Sequence, residues 1–266
     1  MKKTTLGLVA IGALIAAPAM AADLRMPVKA PMAPPPVVTS WTGCYIDGGI
    51  GYGLWNQDHN SVLPTTGAVS SITTTDGGRG WLGRVGGGCD YQFSQRIVIG
   101  AFADFDFMDL KGTNQIQNLF LPPSFGLAAT ANERNAWYAG ARVGYLVTPS
   151  VLAYVEGGYT ETRFDYGPFA VAALPTPPGI GPTIPGLAST TFNGWFIGGG
   201  TEYALTDILP INGLYWRTEY RFASYSNATV SRIGIGPSEQ ITPFVQTVTS
   251  GLVWRFNFGG PLGARY

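Results

Sequence analysis

The stretch WYAGARVGYLV, residues 137–147, alternates two kinds of side chain along its length. Because successive residues of a β-strand point to opposite faces, the alternation gives each kind its own face. One face carries Arg142 between two glycines. The other face has no charge and is bounded by aromatic rings, and it consists of Trp137, Ala139, Ala141, Val143 and Tyr145. This pattern predicts a strand that separates apolar from polar surroundings.

Two further segments repeat the pattern. WLGRVGGGCDY begins at Trp81 and WFIGGGTEYAL begins at Trp195. With Trp137 of the first segment there are three tryptophans, and the residues eight positions after them are, in chain order, Cys89, Tyr145 and Tyr203. Eight is an even step, so both positions share a face, and at about 2.7 to 3.3 Å per residue they lie near the edges of an apolar band about 25 Å high. This spacing predicts two interfacial aromatic girdles. The predicted girdle residues are Trp81, Trp137, Trp195, Tyr145, Tyr203, Trp216 and Trp254.

Eight segments with this alternation of apolar and polar or small residues follow one another from Trp41 onward, with clusters of Pro, Asn, Asp, Gly and Ser between them. The predicted strands are residues 43–56, 79–92, 96–109, 134–147, 151–164, 193–206, 213–226 and 243–258. The predicted connections are short near 93–95, 148–150 and 207–212, and long near 57–78, 110–133, 165–192 and 227–242. Alternation of short turns with long loops is typical of bacterial outer-membrane barrels.

We therefore predict an all-β fold, an eight-stranded antiparallel up-and-down transmembrane β-barrel with short periplasmic turns, long extracellular loops and both termini in the periplasm. A water-soluble barrel would place its apolar face inside. Here the uncharged face is the broader one and bears the aromatic residues, which favours the membrane barrel. The composition agrees, because only 12% of residues are charged, about half the usual share. A formal net charge of +0 gives no indication of a nucleic-acid partner.

The two ends of the chain lie outside the repeated pattern. Residues 1–21 have a charged start, a short apolar core and a small-residue cleavage site, which predicts a secretory signal peptide. Residues 22–40 are rich in proline and are predicted to be a periplasmic tether. Residues 41–258 form the predicted barrel, and residues 259–266 are a C-terminal extension.

Four segments together carry a family resemblance. WTGCYIDGGIGYG, GWFIGGGTEYALTD, WRTEYRFASYS and TSGLVWRFNF resemble the small outer-membrane β-barrel proteins of alphaproteobacteria, called the porin family and related to the OmpA and OmpX barrels. The resemblance covers residues 41–258 and implies roles in envelope integrity, host contact and, in some members, hemin binding. The resemblance implies that members usually end at an aromatic residue closing the last strand, which the barrel-assembly machinery reads. In this chain Phe256 and Phe258 are the aromatic residues at the end of the last predicted strand, and GGPLGARY follows them. The insertion signal is therefore either this internal pair or the terminal Tyr266.

The single histidine offers little support for catalysis. His59 lies in the predicted loop 57–78, beside Asp58 and Asn60. Catalysis of acyl transfer needs a nucleophile, a base and an orienting group at one place, and a solvated loop residue is the favoured interpretation here. Axial ligation of hemin by His59 is kept as an alternative because of the resemblance. No catalytic residue, cofactor or metal site is predicted.

Charged residues recur on the inward parity of the strands. Inside a narrow barrel each is costly unless it is paired and hydrogen-bonded. They either form a crosslinked network that fills and stiffens the barrel or line a small ion pathway, and the narrow interior of eight strands favours the network. The predicted lumen charges are Arg84, Asp104, Asp106, Arg142, Glu156, Glu202, Arg217, Glu219, Arg221 and Arg255.

Cys44 and Cys89 are the two cysteines of the chain, and both fall near the periplasmic ends of neighbouring predicted strands on the outward parity. A disulfide between them is predicted, with two free thiols as the alternative, because an exported protein meets oxidising conditions and antiparallel neighbours can bring two such residues opposite each other. The sequence leaves the register of the two strands open, and a one-residue slip would separate the pair.

The glycine-rich run GCYIDGGIGYGLWN, residues 43–56, matches neither nucleotide-binding motif, because Leu54 stands where a dinucleotide loop needs its third glycine and where a P-loop needs lysine. On a barrel strand Gly49, Gly51 and Gly53 point inward, where small residues leave room for large side chains from other strands.

These observations together predict a non-enzymatic integral outer-membrane barrel that supports the cell envelope and presents surface loops. The alternatives are a porin-like pore for small solutes and surface hemin binding through the extracellular loops. The predicted partners are outer-membrane lipid, lipopolysaccharide and the barrel-assembly machinery, with no nucleic acid and no defined small-molecule substrate.

Overall fold

The structure is a computed structural model that describes residues 40–63, 65–116, 125–173, 183–207, 209, 211–234 and 237–256. Eleven strands are assigned among these residues: β1 (Gly43–Val62), β2 (Thr74–Gln92), β3 (Ile97–Ile116), β4 (Phe125–Thr148), β5 (Val151–Tyr166), β6 (Phe169–Ala173), β7 (Thr183–Ile184), β8 (Thr190–Ala204), β9 (Leu214–Tyr225), β10 (Ala228–Val230) and β11 (Ser238–Phe256). A 3₁₀ turn, Leu205–Asp207, precedes β9. Within these ranges no helix is long and apolar enough to cross a bilayer.

Eight of the strands close into a ring. The order around the ring is β1, β2, β3, β4, β5, β8, β9 and β11, each neighbouring pair is antiparallel, and β11 pairs with β1 along nearly its whole length. The short strands extend the pairing toward the ends of β4 and β11, where β6 pairs with β4, β7 with β6 and β10 with β11. Closure pairs both edges of every long strand, which removes the sites of unwanted strand association. The predicted antiparallel, up-and-down all-β fold is confirmed.

The connections distinguish the two ends of the ring. At the end that we call the turn end, residues 93–96, 149–150 and 205–213 link consecutive ring strands. The start of β1 and the end of β11 lie there too, since Cys44 pairs with Phe256. The opposite end, which we call the loop end, carries the remaining connections. At the turn end Gly213 has a φ of +81°, a conformation that residues with a Cβ rarely adopt.

Strands β1 to β4 extend further toward the loop end than the sequence predicts, and so does β11, which begins at Ser238 inside the predicted loop 227–242. β1 continues to Val62 and β2 begins at Thr74, so much of the predicted loop 57–78 is strand. β3 and β4 likewise shorten the predicted loop 110–133. The prediction was wrong because inward-facing side chains here, such as Gln57, are polar and give no apolar alternation. Their hydrogen bonds take the place of apolar burial.

Exposed aromatic side chains form two bands on the outer face of the ring. Near the loop end, the ring of Tyr52 meets Trp81 with centroids 5.3 Å apart, and Trp137 meets Tyr159 at 5.2 Å. Aliphatic side chains such as Ile50 are exposed between the bands. The predicted girdle residues are all exposed on this face, with Trp81, Trp137 and Trp195 toward the loop end and Tyr145, Tyr203, Trp216 and Trp254 toward the turn end.

The interior differs between the two ends. Toward the loop end it is an apolar core in which Trp55 packs edge-on against Phe164, with centroids 5.5 Å apart, and donates its indole N–H to the carbonyl of Leu110 at 3.1 Å. Glycine makes room for that indole, because a Cβ on Gly78 or Gly112 would overlap its ring. Inward glycines of β2 and β3 thus accommodate a large side chain of the protein itself. On β1 the same holds for Gly53, where a Cβ would overlap the side chain of Leu110, whereas at Gly49 and Gly51 the nearest atom belongs to the backbone of β11.

A disulfide joins Cys44 and Cys89. The two residues are directly opposite each other in the β1–β2 register, on the outer face at the turn end. The sequence leaves the register of β1 and β2 open, and the structure shows the register that the bond requires. The predicted disulfide is therefore present.

Several sequence predictions fall outside the described residues. These are the signal peptide at 1–21, the tether at 22–40 apart from Ser40, the Pro- and Gly-rich part of the loop at 174–182, Phe258 and the C-terminal extension at 259–266. They stay predictions.

Candidate functional site

Charged side chains fill the part of the interior between the apolar core and the turn end. The structure buries all of the predicted lumen charges inside the ring, namely Arg84, Asp104, Asp106, Arg142, Glu156, Glu202, Arg217, Glu219, Arg221 and Arg255. Asp90 and Asp47 also contact this set through ion pairs. The charges form two layers along the barrel axis.

The turn-end layer consists of Asp47, Asp90, Arg142, Glu202, Arg217 and Arg255. Glu202 on β8 accepts hydrogen bonds from Arg142 and Arg217, each at 2.7 Å, and from Arg255. Asp90 on β2 accepts from Arg142 and, at 2.6 Å, from Arg255. Two buried carboxylates therefore connect guanidinium groups from three strands, β4, β9 and β11.

The ring of Tyr45 lies among the same three guanidinium groups. Its centroid is 4.6 Å from Cζ of Arg142, 4.8 Å from Cζ of Arg217 and 5.0 Å from Cζ of Arg255. Cations at these distances are attracted to the face of an aromatic ring. The ring and the carboxylates together offset the repulsion among three positive charges in a confined space.

Trp41 closes this layer on the side of the turn end. Its indole is fully buried, with Cζ of Arg255 4.7 Å from the ring and the ring of Tyr215 at 4.8 Å. Its N–H donates to the carbonyl of Pro149 in the β4–β5 turn at 3.2 Å. The residue just before β1 therefore covers the charged layer and holds it apart from the solvent at this end.

The middle layer consists of Arg84, Asp104, Asp106, Glu156, Glu219 and Arg221. Arg221 on β9 donates to both oxygens of Asp104 on β3, at 2.9 and 2.7 Å. Because β9 and β3 are four places apart in the ring of eight, this bidentate pair joins opposite walls of the barrel. Arg221 also donates to Glu156 on β5 at 2.6 Å. One side chain thus spans the interior and ties three strands together.

Arg84 forms the second centre of the middle layer. It donates to both oxygens of Asp106 on the neighbouring strand, at 2.7 and 2.9 Å, and to Glu219 on β9. The second oxygen of Glu219 accepts the hydroxyl of Tyr154 at 2.7 Å. Arg84, Asp47 and neighbouring residues line a cavity of about 10 Å³, about the space that one water molecule occupies.

The two layers pair each guanidinium group with carboxylates. Each of the five guanidinium groups lies within 3.3 Å of at least two carboxylates, and Arg221 lies within that distance of three. Buried ions at this density are tolerated because every charge of the two layers is paired and nearly every one is hydrogen-bonded. These ion pairs stiffen the barrel, because they crosslink all eight ring strands across a narrow interior.

A second polar group, which we call the loop-end cluster, consists of His59, Asp76, Asn114, Arg232 and Glu239. His59 is 2% exposed on the inner face of β1, so the expectation of a solvated loop residue was wrong. Its Nε2 lies 2.9 Å from Asp76 Oδ2 and its Nδ1 lies 3.6 Å from Glu239 Oε2. The error follows from the unexpected length of β1 and β2, which turns the predicted loop into paired strand.

Glu239 is the centre of this cluster. Asn114 donates to its Oε2 at 3.3 Å, while Oε1 has no hydrogen-bond partner and lies 3.9 Å from a nitrogen of Arg232. Burial raises the pKa of Glu239 to about 7, against the lowering effect of His59. The residue pairs with Ser61 far beyond the aromatic band, so it lies in the part of the barrel that projects past that band.

Sequence reasoning missed several residues of the charged interior. Asp90 has the inward parity of Arg84 on the same strand, so alternation alone identifies it. Asp47 is charged and has the inward parity of β1, so alternation identifies it as well. Tyr45 shares that parity, but nothing in its spacing marks it as part of the charged set. Trp41 precedes the first strand, where alternation carries no information, and its role depends on the closed ring.

Comparison with known proteins agrees with this architecture. Residues 7–256 match the family described as outer membrane protein beta-barrel domain. The 31 kDa outer-membrane immunogenic protein of Brucella melitensis is 29% identical over 223 residues, which cover 80% of this chain and 85% of the relative.

Two solved barrels are similar at lower identity. Neisserial surface protein A is 13% identical, with a TM-score of 0.38, over 81% of this chain and 98% of its own. The outer-membrane protein OprG of Pseudomonas aeruginosa is 13% identical, with a TM-score of 0.43, over 81% of this chain and 96% of its own.

The cross-barrel pair predicts a large stability loss on replacing one partner. Arg221→Met leaves Asp104 and Glu156 buried without their cation, so we expect the free energy of unfolding to fall by about 3 to 5 kcal/mol. Urea unfolding of the folded protein in detergent micelles measures this change. Arg163→Met is the matched control, since Arg163 is exposed and 3.4 Å from Asp165, and should cost less than about 1 kcal/mol. Equal losses for the two variants would contradict the assigned role.

The loop-end cluster predicts a pH dependence with a definite sign. The pKa of Glu239 is higher in the folded protein than its ordinary value of 4.5. The stability associated with its protonated form is therefore fully present below about pH 4.5 and is lost as the pH rises through about 7. Glu239→Gln removes this loss, so at pH 8 the variant should be more stable than the unchanged protein, by a few kcal/mol at most.

The measurement is urea unfolding at pH 4.5 and pH 8. His59, Asp76 and Arg232 also face Glu239, so the informative quantity is the change in the pH dependence between variant and unchanged protein. Glu161→Gln, on the outer face, is the control and should leave that dependence as it is. A Glu239→Gln variant that loses stability equally at both pH values would disprove the prediction.

Proposed function

The chain belongs to the outer membrane protein beta-barrel domain family, and from this premise we propose that it is a non-enzymatic, non-conducting barrel that supports the cell envelope and presents its loop end to the exterior. The observation that carries the proposal is the bidentate pair between Arg221 and Asp104, which crosses the interior between opposite walls. A rigid interior of this kind suits a structural element and a platform for loops.

A pore for small solutes would need a continuous water-filled path. Eight strands leave an interior only wide enough for side chains, and here the two charged layers, the indole of Trp41 and the aromatic core around Trp55 follow one another along the axis. Each guanidinium is held by at least two carboxylates, so opening a path would break several buried ion pairs at once. This cost supports the closed barrel over the pore.

Hemin capture by His59 gains no support from the geometry. Nε2 is engaged by Asp76 at 2.9 Å, Nδ1 faces Glu239, and the ring is buried. An axial ligand needs a nitrogen with an open approach to iron. The same burial argues against His59 as a catalytic base.

The orientation of the barrel rests on its two kinds of connection. In outer-membrane barrels short turns face the periplasm and longer loops face outward, which would place the loop end outside and both barrel termini in the periplasm. The Brucella melitensis relative is named an immunogenic protein, and exposure of the corresponding loops to a host would account for that property. Outer-leaflet lipid and lipopolysaccharide would then surround the aromatic band near the loop end, and the barrel-assembly machinery would insert the protein.

Planar-bilayer recording tests the closed interior. We expect the folded chain to insert without stepwise current at any voltage that the bilayer tolerates, because the ion pairs fill the interior. A general porin recorded in the same membranes serves as the positive control. Reproducible unitary steps from the unchanged protein would overturn the proposal in favour of the pore.

Labelling of intact cells tests the orientation. Single cysteines are introduced at exposed positions of each end, Thr66→Cys at the loop end and Ser94→Cys at the turn end. A membrane-impermeant maleimide should label Thr66→Cys on intact cells and should reach Ser94→Cys only after the outer membrane is permeabilised. The reverse pattern would show the opposite orientation.

A further inference from the structure

The exposed basic residues of the loop end are confined to one side of the barrel. In the described part of the chain, every exposed lysine or arginine at this end lies on β2, β3, β4 or β5. On the other four ring strands the outer face has no lysine or arginine at this end. The basic residues, which we call the basic belt, are Arg79, Lys111, Arg134 and Arg163.

The belt lies at one depth relative to the aromatic band. Arg79 is two residues beyond Trp81 on β2, and Arg134 is three residues beyond Trp137 on β4, each toward the loop end. Along tilted strands this displacement corresponds to about 5 to 10 Å past the aromatic rings. Aromatic rings of membrane proteins lie at the level of the lipid headgroups, so the cations stand where phosphates of the headgroups would be.

An irregularity of β4 turns Arg134 to the outer face. Tyr138 and Ala136 point inward, so regular alternation would point Arg134 inward as well. The pairing of β4 with β3 and with β5 shifts register at this point, and Glu133 is buried while Arg134 is half exposed. A β-bulge is a local device that re-aims a side chain, and here it adds a cation to the belt.

The charges within the belt are incompletely balanced. Arg79 and Lys111 are directly opposite each other in the β2–β3 register, and like charges in that position repel. Lys111 contacts Asp109 at 2.8 Å, and Arg134 and Arg163 share Asp165 at 3.4 Å each, all on exposed side chains. Such exposed pairs are weak, and an anion between Arg79 and Lys111 would relieve their repulsion.

We infer that the basic belt binds the phosphate groups of a phosphorylated glycolipid in the outer leaflet, with Arg79 and Lys111 as the central pair. The lipid's acyl chains lie along the apolar face below, and the ring of Trp81 packs beside them. This inference rests on the proposed orientation, because only an outward loop end brings the belt to the outer leaflet. The outer face of β8, β9, β11 and β1 has no cation at this end and carries the anion Asp58 on β1, so it has no comparable affinity for phosphate.

Native mass spectrometry of the folded chain in a neutral detergent tests the inference. The probes are a bisphosphorylated glucosamine-disaccharide lipid and the same lipid without phosphate. Bound bisphosphorylated lipid should be retained at least tenfold more tightly than its dephosphorylated form. The double variant Arg79→Gln with Lys111→Gln should weaken it by about thirtyfold, since each cation near an anionic headgroup contributes about fivefold.

Arg96→Gln is the matched control, because Arg96 is an exposed cation at the turn end, and it should leave lipid retention unchanged. A second double variant, Arg134→Gln with Arg163→Gln, should weaken retention less than the central pair. Equal retention of the two lipids, or equal effects of Arg96→Gln and the central pair, would overturn the inference. Failure of the proposed orientation would appear separately, as a reversed labelling pattern on intact cells with lipid binding by the isolated protein unchanged.

Discussion

The width of the ring is the constraint on which the other features depend. A closed sheet of eight strands has an interior about as wide as the side chains that point into it, so each inward residue must fit the residues opposite. Charged residues of the two layers fit because they are paired, as Arg221 and Asp104 are across the axis. Large aromatic residues fit only against small ones, as Trp55 does beside Gly78 and Gly112. The glycine content and the balance of charge thus have one geometric cause.

Between the two aromatic bands, alternation along the sequence predicts which residues point inward. It identifies Arg84, Arg142 and Arg221 as interior charges, because each shares a face with small and polar residues while the opposite face is apolar. It does not identify the partner of each charge, since partners such as Arg84 and Glu219 lie far apart in sequence and meet only when the ring closes. Pairing depends on the register of all eight strands together, which no single strand determines.

Prediction was weakest where both faces of a strand are polar. Beyond the aromatic band the inner face of β1 carries Gln57 and His59, and the outer face carries Asn56 and Asp58. With no contrast in polarity between the faces, the strand has the composition of a loop. In the structure these side chains are satisfied by partners on β2, β5 and β11. This part of the strand is stabilised by hydrogen bonds to strands that are distant in sequence, and the alternation of residues gives no information about those bonds.

The position of Trp41 has a consequence for how the barrel would bear force. The indole is enclosed by Arg255, Tyr215 and the carbonyl of Pro149, and Cys44, three residues later, is bonded to β2. Tension applied to the chain ahead of Trp41 would first act on a packed aromatic ring and then on a covalent bond. The load would thereby be shared between β1 and β2 before it reached the hydrogen bonds that join β1 to β11, so the seam at which the ring closes is shielded from peeling.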